Sequence, residues 1–151
     1  MSLLVWNCQG LGNPMTMKGH GDILRDNKPT LVFLEETKCS ASQIEALKRK
    51  FGLFGCNVDP KGRSGGLALL WQRSVEVQLQ SFSWYHIDVS VRLDELEEWW
   101  RFSAIYEEPE TRKRDNTWRL LRQLHRQSIR PWLCVGDYNE ILEHLKNKVV
   151  L

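Results

Sequence analysis

Up to Phe51 the sequence alternates short apolar runs with stretches of helical period, and beyond it the period shortens to that of strands; this change confines the chain to an α/β class. Residues 3–8 are expected to form a buried strand, closed by the turn residues Gly10, Gly12, Asn13 and Pro14. A helix follows, with Thr16 as N-cap and Ile23 and Leu24 as its apolar pair, weakened by Gly19 and Gly21. Pro29 breaks the chain and residues 30–35 make a second strand. Residues 40–51 are a helix capped by Ser40 or Ser42, with Ile44, Leu47, Lys48 and Phe51 at helical spacing. Strand, helix, strand, helix in this order predicts parallel pairing.

Residues 54–58, 66–71, 75–82, 86–93 and 99–106 then succeed one another at the spacing of an antiparallel meander. Val75, Val77 and Leu79 alternate with Glu76, Gln78 and Gln80, and Ile87, Val89, Val91 and Leu93 with Asp88, Ser90, Arg92 and Asp94, as in half-buried strands. Residues 94–98 supply a hairpin turn. Residues 116–127 form a helix with Leu120, Leu121 and Leu124 inward and Arg119, Arg122 and Arg126 on one face. Pro131 stops it, and residues 132–136 make a last buried strand. With no repeat, low-complexity tract or linker, residues 1–151 are expected to form one mixed α/β domain.

Composition agrees: 42% hydrophobic and 26% charged residues exclude a disordered tail. The apolar runs are too short for a bilayer, and the first residues lack a basic, hydrophobic leader, so an intracellular place, nucleus or cytoplasm, is expected. Cys8, Cys39, Cys56 and Cys134 have no Cys-x-x-Cys or His-cluster spacing; they are small hydrophobes or, on the other reading, redox or nucleophilic thiols. His20, His86, His125 and His144 read as solvent or boundary residues. The net charge of +2 hides two opposed stretches, acidic over residues 94–110 and basic over 111–130. The Arg119, Arg122 and Arg126 stripe is a solvated face or a track for phosphates, and the seven tryptophans serve packing or base stacking.

Chemistry is expected where buried strands end in polar residues, because such ends converge on one edge of an α/β sheet. The runs before Asn7, before Glu35-Glu36-Thr37, before Tyr106 and before Asp137-Tyr138-Asn139 all end this way. An amide, a carboxylate, a phenol and an Asp-x-Asn pair suit a hard cation and a phosphate; chain exit from a core explains any one of them alone. The loop Gly62-Arg63-Ser64-Gly65-Gly66 is either a phosphate cradle or a flexible turn.

Four ordered motifs carry a resemblance: Trp6-Asn7-Cys8-Gln9-Gly10-Leu11-Gly12-Asn13-Pro14, Leu34-Glu35-Glu36-Thr37-Lys38, Gly65-Gly66-Leu67-Ala68-Leu69-Leu70-Trp71, and Pro131-Trp132-Leu133-Cys134-Val135-Gly136-Asp137-Tyr138-Asn139-Glu140-Ile141-Leu142. Together they resemble the N-terminal part of the endonuclease domain of plant LINE-type (non-LTR) retrotransposons, within the endonuclease/exonuclease/phosphatase superfamily. The resemblance implies a partial four-layer α/β sandwich of mixed sheets with flanking helices, acting on DNA with Mg²⁺. It implies that Glu36 ligates the metal, Asn7 organises the metal and phosphate network, and Tyr106 donates to the scissile phosphate. Asp137 would activate the attacking water and Asn139 stabilise the pentavalent state.

The sequence departs from that pattern in three places. Gln9 stands where abasic-site endonucleases carry an acid, and Glu107 stands where related plant elements have Gly. A later Asp and an Asp-His pair that the family uses do not follow Asp137. The expectation is therefore a truncated nicking endonuclease with impaired turnover, or a non-catalytic remnant binding metal or nucleic acid weakly. Sheet edges left uncovered would favour self-association. A phosphatase or phosphodiesterase of the same superfamily acting on a small substrate is the third possibility.

Overall fold

The structure is a computed structural model that describes residues 1–11, 14–106 and 114–137. They gather in two compact units, Met1–Glu76 and a second beginning at Val77.

In the first unit, β1 (Leu3–Asn7), β2 (Leu31–Glu35), β3 (Leu53–Val58) and β4 (Leu67–Gln72) form a mixed sheet of order β1-β2-β4-β3. The expected parallel pair is present, Leu3 opposite Leu31 through Asn7 opposite Glu35. β4 lies antiparallel to both β2 and β3. Helix α1 (Pro14–Asn27) starts two residues before the expected cap, so Thr16 sits inside its first turn and proline takes the opening position, where its missing N–H costs nothing. Helix α2 (Ala41–Phe51) begins as expected: Ser40 accepts from the Gln43 N–H, the Gln43 side chain accepts from the Ser40 N–H, and Gly52 closes the helix in left-handed backbone. Leu24 of α1 and Ile44 and Leu47 of α2 pack with Val32, Leu34, Ala68 and Leu70. This apolar layer fixes the helices over one sheet face.

In the second unit, β5 (Glu76–Ser83), β6 (His86–Arg92), β7 (Trp100–Tyr106) and β8 (Trp132–Asp137) form a sheet in sequence order. β6 and β7 are antiparallel, while β7 and β8 run parallel, joined through α3 (Arg114–Arg126). The anticipated meander is thus divided between two sheets. β5 is an edge strand, and Leu79 and Phe82 are exposed, contrary to a half-buried reading.

β6 departs further from its alternation, for Asp88 and Ser90 are buried along with Ile87, Val89 and Val91. Asp88 receives Arg101 Nε at 2.9 Å, Arg101 Nη2 at 2.6 Å and Ser103 Oγ at 2.5 Å. Arg101 also donates to the Leu124 carbonyl and to Gln127 Oε1, tying the sheet to the end of α3. Polar residues that look solvent-facing by period are therefore a buried network.

His86 is buried too, which corrects its reading as a boundary residue. Its ring nitrogens meet Ser81 Oγ at 2.9 Å and Ser83 Oγ at 2.7 Å. Burial lowers the imidazole pKa, with Arg101 adding to the effect and Asp88 opposing it. The unfolded chain accordingly binds this proton more readily than the folded one. The stabilisation from a neutral His86 is complete above the ordinary histidine value of about 6.5 and is lost as the pH falls below it. Urea unfolding at pH 7.5 and 5.0 should show lower stability at the acid pH, with a smaller drop in His86→Gln; equal drops would remove His86 as the cause. His125 is exposed, its ring tilted against that of Trp132 with centroids 5.8 Å apart. The His20 side chain and His144 lie outside what is described.

Candidate active site

Asn7 and Glu36 are brought together by the first sheet. Asn7 ends β1 opposite Glu35, and bonding continues past the ladder: Cys8 N–H to Glu35 O, Gly10 N–H to Glu36 O and Leu11 N–H to Thr37 O, each 2.8 Å. On the other flank Thr37 N–H donates to Gly66 O and Lys38 N–H to Gly65 O, both at 3.0 Å. The turn carrying Glu36 is thus clamped from two sides. Asn7 Oδ1 accepts from the Gln9 N–H at 3.2 Å, which fixes its side chain.

The clamp holds uncommon backbone. Gln9, Glu36 and Lys38 have φ of 47°, 49° and 52°, in the left-handed region that costs a residue with a Cβ about 1–2 kcal/mol. Gly66 is required at its place: with φ of 88°, an added Cβ would stand 2.5 Å from Thr37 Oγ1 and 3.1 Å from Lys38 N. The Gly65-Gly66 pair therefore braces the acidic turn, a role that neither reading of the loop contained.

Burial pushes the Cys8 thiol up to about 12, with Cys39, Glu35 and Glu36 adding to the shift. Burial likewise raises Cys39, and takes Cys56 to about 11. These thiols stay protonated near neutral pH, as small hydrophobes do and nucleophiles do not. All four cysteines are free.

The second unit holds the other candidates. Tyr106 ends β7 directly opposite Asp137 at the end of β8. Tyr106 is buried, and its N–H donates to the Tyr85 carbonyl at 2.8 Å. The backbone of Asp137 is described but its side chain is not; Asn139 and Glu107 lie outside the described residues. Arg119, Arg122 and Arg126 are exposed on α3, whose buried face carries Thr117 and Leu124.

Glu36 and Asn7 are both partly buried and offer hard oxygen, the donor type Mg²⁺ takes. Among the described residues no three Asp, Glu, His or Cys side chains gather to hold a metal by themselves. The set fits an ion that keeps most of its waters and shares phosphate oxygens, and does not fit an all-protein cage.

A mixed α/β chain of two sheets, with polar residues at the strand ends, is the class these observations define. The endonuclease/exonuclease/phosphatase family model matches residues 4–149, and the chain belongs to that family. Many solved structures share the fold, three of them instructive. The human Nocturnin catalytic domain with bound sulfate matches at TM-score 0.73 and 13% identity, over 95% of this chain and 65% of that one. The endonuclease domain of TRAS1, a telomere-specific non-LTR retrotransposon, matches at 0.66 and 12%, over 89% and 57%. The 3′ phosphatase NExo from Neisseria, bound to a product DNA hairpin, matches at 0.67 and 16%, over 92% and 58%. The chain thus spans between 57% and 65% of the length of these three. No curated protein matches it by sequence. Among the described residues no helix is long and apolar enough to cross a membrane.

Proposed function

We propose that the chain derives from a plant LINE-type retrotransposon endonuclease and represents the N-terminal portion of that domain. It is suited to Mg²⁺-dependent hydrolysis of DNA phosphodiesters in the nucleus or cytoplasm, with slow or lost turnover when the 151 residues act alone. The Glu36 turn carries the reading. A glutamate is held in left-handed backbone just past the end of a buried strand, on the same sheet edge as Asn7 and clamped on both flanks. Glycine would occupy that backbone without strain, so a glutamate there points to a ligand.

In this reading Glu36 holds the ion and Asn7 orients the phosphate. Tyr106 donates to a phosphoryl oxygen, Asp137 positions and deprotonates the attacking water, and Asn139 donates to the charge that develops on phosphorus. Bound Mg²⁺ supplies positive charge to the non-bridging oxygens. Family membership supports the hydrolase class, and the four ordered motifs support the lineage. The 151 residues span 57% of the length of the TRAS1 domain, which favours slow turnover by these residues alone. The other reading, a remnant that binds metal or nucleic acid without turnover, is separated by the same assay. Self-association belongs to the proposal too, through edges such as β5 with its exposed Leu79 and Phe82.

Glu36→Gly is expected to leave the chain as stable as before, or more stable by up to about 1 kcal/mol. It should nonetheless abolish the rise in Tm with Mg²⁺ and any nicking of supercoiled plasmid. Asp137→Asn should keep the Mg²⁺ response and lose the nicking. A Mg²⁺ response undiminished in Glu36→Gly overturns the assignment.

A further inference from the structure

Where Ser90 of β6, the start of β7 and the end of α3 meet, a cleft of about 540 Å³ is walled by Gln80, Ser90, Arg101, Arg126, Gln127 and Arg130 among others. Its three guanidinium groups are not equivalent. Arg101 is neutralised by Asp88 and engaged with the Leu124 carbonyl and Gln127. Arg126 and Arg130 are exposed, and among the described residues neither meets a carboxylate. Arg130 spends one N–H on Ser90 Oγ at 3.2 Å, which holds its head in the cleft and leaves most of the donor fork unused.

A helix C-terminus ordinarily repels an anion through its last carbonyls. Here the Leu124 carbonyl accepts from Arg101 and from the Gln127 N–H, so part of that negative potential is taken up internally. Ser90 Oγ already accepts from Arg130, and Gln127 Oε1 from Arg101, so both of these groups have an acceptor engaged and a donor left over, while Gln80 donates to the Gln78 carbonyl. Two uncompensated guanidinium groups with neutral donors beside them suit a tetrahedral oxyanion, which arginine forks bind through paired hydrogen bonds.

We infer that this cleft is a phosphate-binding site, separate from the ends of β7 and β8, that takes a free phosphate or a phosphodiester of a nucleic-acid backbone between Arg126 and Arg130. The separation follows from β7 itself, since Arg101 and Tyr106 stand near its opposite ends, roughly 17 Å apart at strand rise. Arg126 thereby leaves the helical stripe with Arg119 and Arg122 and joins a different site.

The test uses inorganic phosphate on the full chain without Mg²⁺, at constant ionic strength. Tm should rise with a half-effect on the order of 1 mM phosphate. Arg126→Gln/Arg130→Gln should weaken this by about tenfold or more. Arg25→Gln/Arg49→Gln removes the same charge from residues that do not line the cleft and should shift it by less than about twofold. A single-stranded oligonucleotide separates the two sources. If it competes with phosphate and loses affinity in the Arg126/Arg130 pair, the ligand is backbone phosphate; if it ignores that pair, the site takes free phosphate. An absent phosphate response, or equal losses in the two double variants, overturns the site. Glu36→Gly should keep the full phosphate response, so failure of this site and failure of the Mg²⁺ reading are told apart.

Discussion

Asp88→Ala is expected to destabilise the second unit by about 3–5 kcal/mol, the cost of breaking a buried ion pair by removing one partner. Asp88 is wholly buried, and Arg101 is only 4% exposed, so the guanidinium cannot turn to water when its carboxylate goes. Ser103 would lose its acceptor as well, and Trp132 Nε1, which donates to Ser103 Oγ at 2.9 Å, sits in the same network. Arg101 also fastens the end of α3, so the loss should spread from β6 to the helix. Urea unfolding followed by tryptophan fluorescence and by circular dichroism measures it. Asp88→Leu/Arg101→Met, which takes away both charges, should recover more than half of the loss, because a buried pair contributes little over apolar replacements of similar size. A loss below about 1 kcal/mol in Asp88→Ala would mean that water reaches the pair.

That network also marks where sequence reasoning stopped. The parallel β1–β2 pair, a serine cap on α2 and the antiparallel pairing of β6 with β7 were legible, because each rests on local chemistry: an apolar run, a serine ahead of a helical period, a period of two. Asp88 and Ser90 obey the same period and were read as facing solvent, yet they are buried. Period reports which residues share a face and says nothing of what covers it. The available signal was Arg101, a lone base amid the apolar residues of β7, with Asp88 in the neighbouring strand and an amphipathic helix next in the chain. His86 and the exposed Leu79 failed for the same reason, since edge position and cover are set by the whole sheet.

The candidate site was legible as a set of strand ends. Asn7 and Glu36 do share one edge of the first sheet, and Tyr106 stands opposite Asp137 in the second. Hidden from the sequence was the device that holds Glu36. Left-handed backbone at a glutamate has no compositional mark, and Gly65-Gly66, thirty residues on, looks like a loop until its carbonyls are seen to accept from Thr37 and Lys38. The motifs therefore named candidate residues without showing how the backbone presents them.

Gly136→Ala tests the same idea in the second unit. A Cβ at residue 136 would stand 1.7 Å from the Ile105 carbonyl oxygen and 2.7 Å from its carbonyl carbon. Those atoms are backbone of β7, directly opposite in the ladder, so no rotamer change makes room; either β8 moves or the pair opens. The expected loss is at or above the upper end of the roughly 1–3 kcal/mol typical of overpacking. The next register pair is Tyr106 with Asp137, so any phosphate or DNA affinity that depends on these residues should fall with it. Gly19→Ala makes the contrast: that glycine lies inside α1 with nothing within 4 Å of an added Cβ. There the same change should stabilise by about 0.5–1 kcal/mol through helix propensity. Urea midpoints for the two variants should therefore move in opposite directions. If Gly136→Ala stays within about 1 kcal/mol of the parent, β8 can shift to admit a methyl group. The close approach of β7 and β8 would then not be what fixes Asp137 opposite Tyr106.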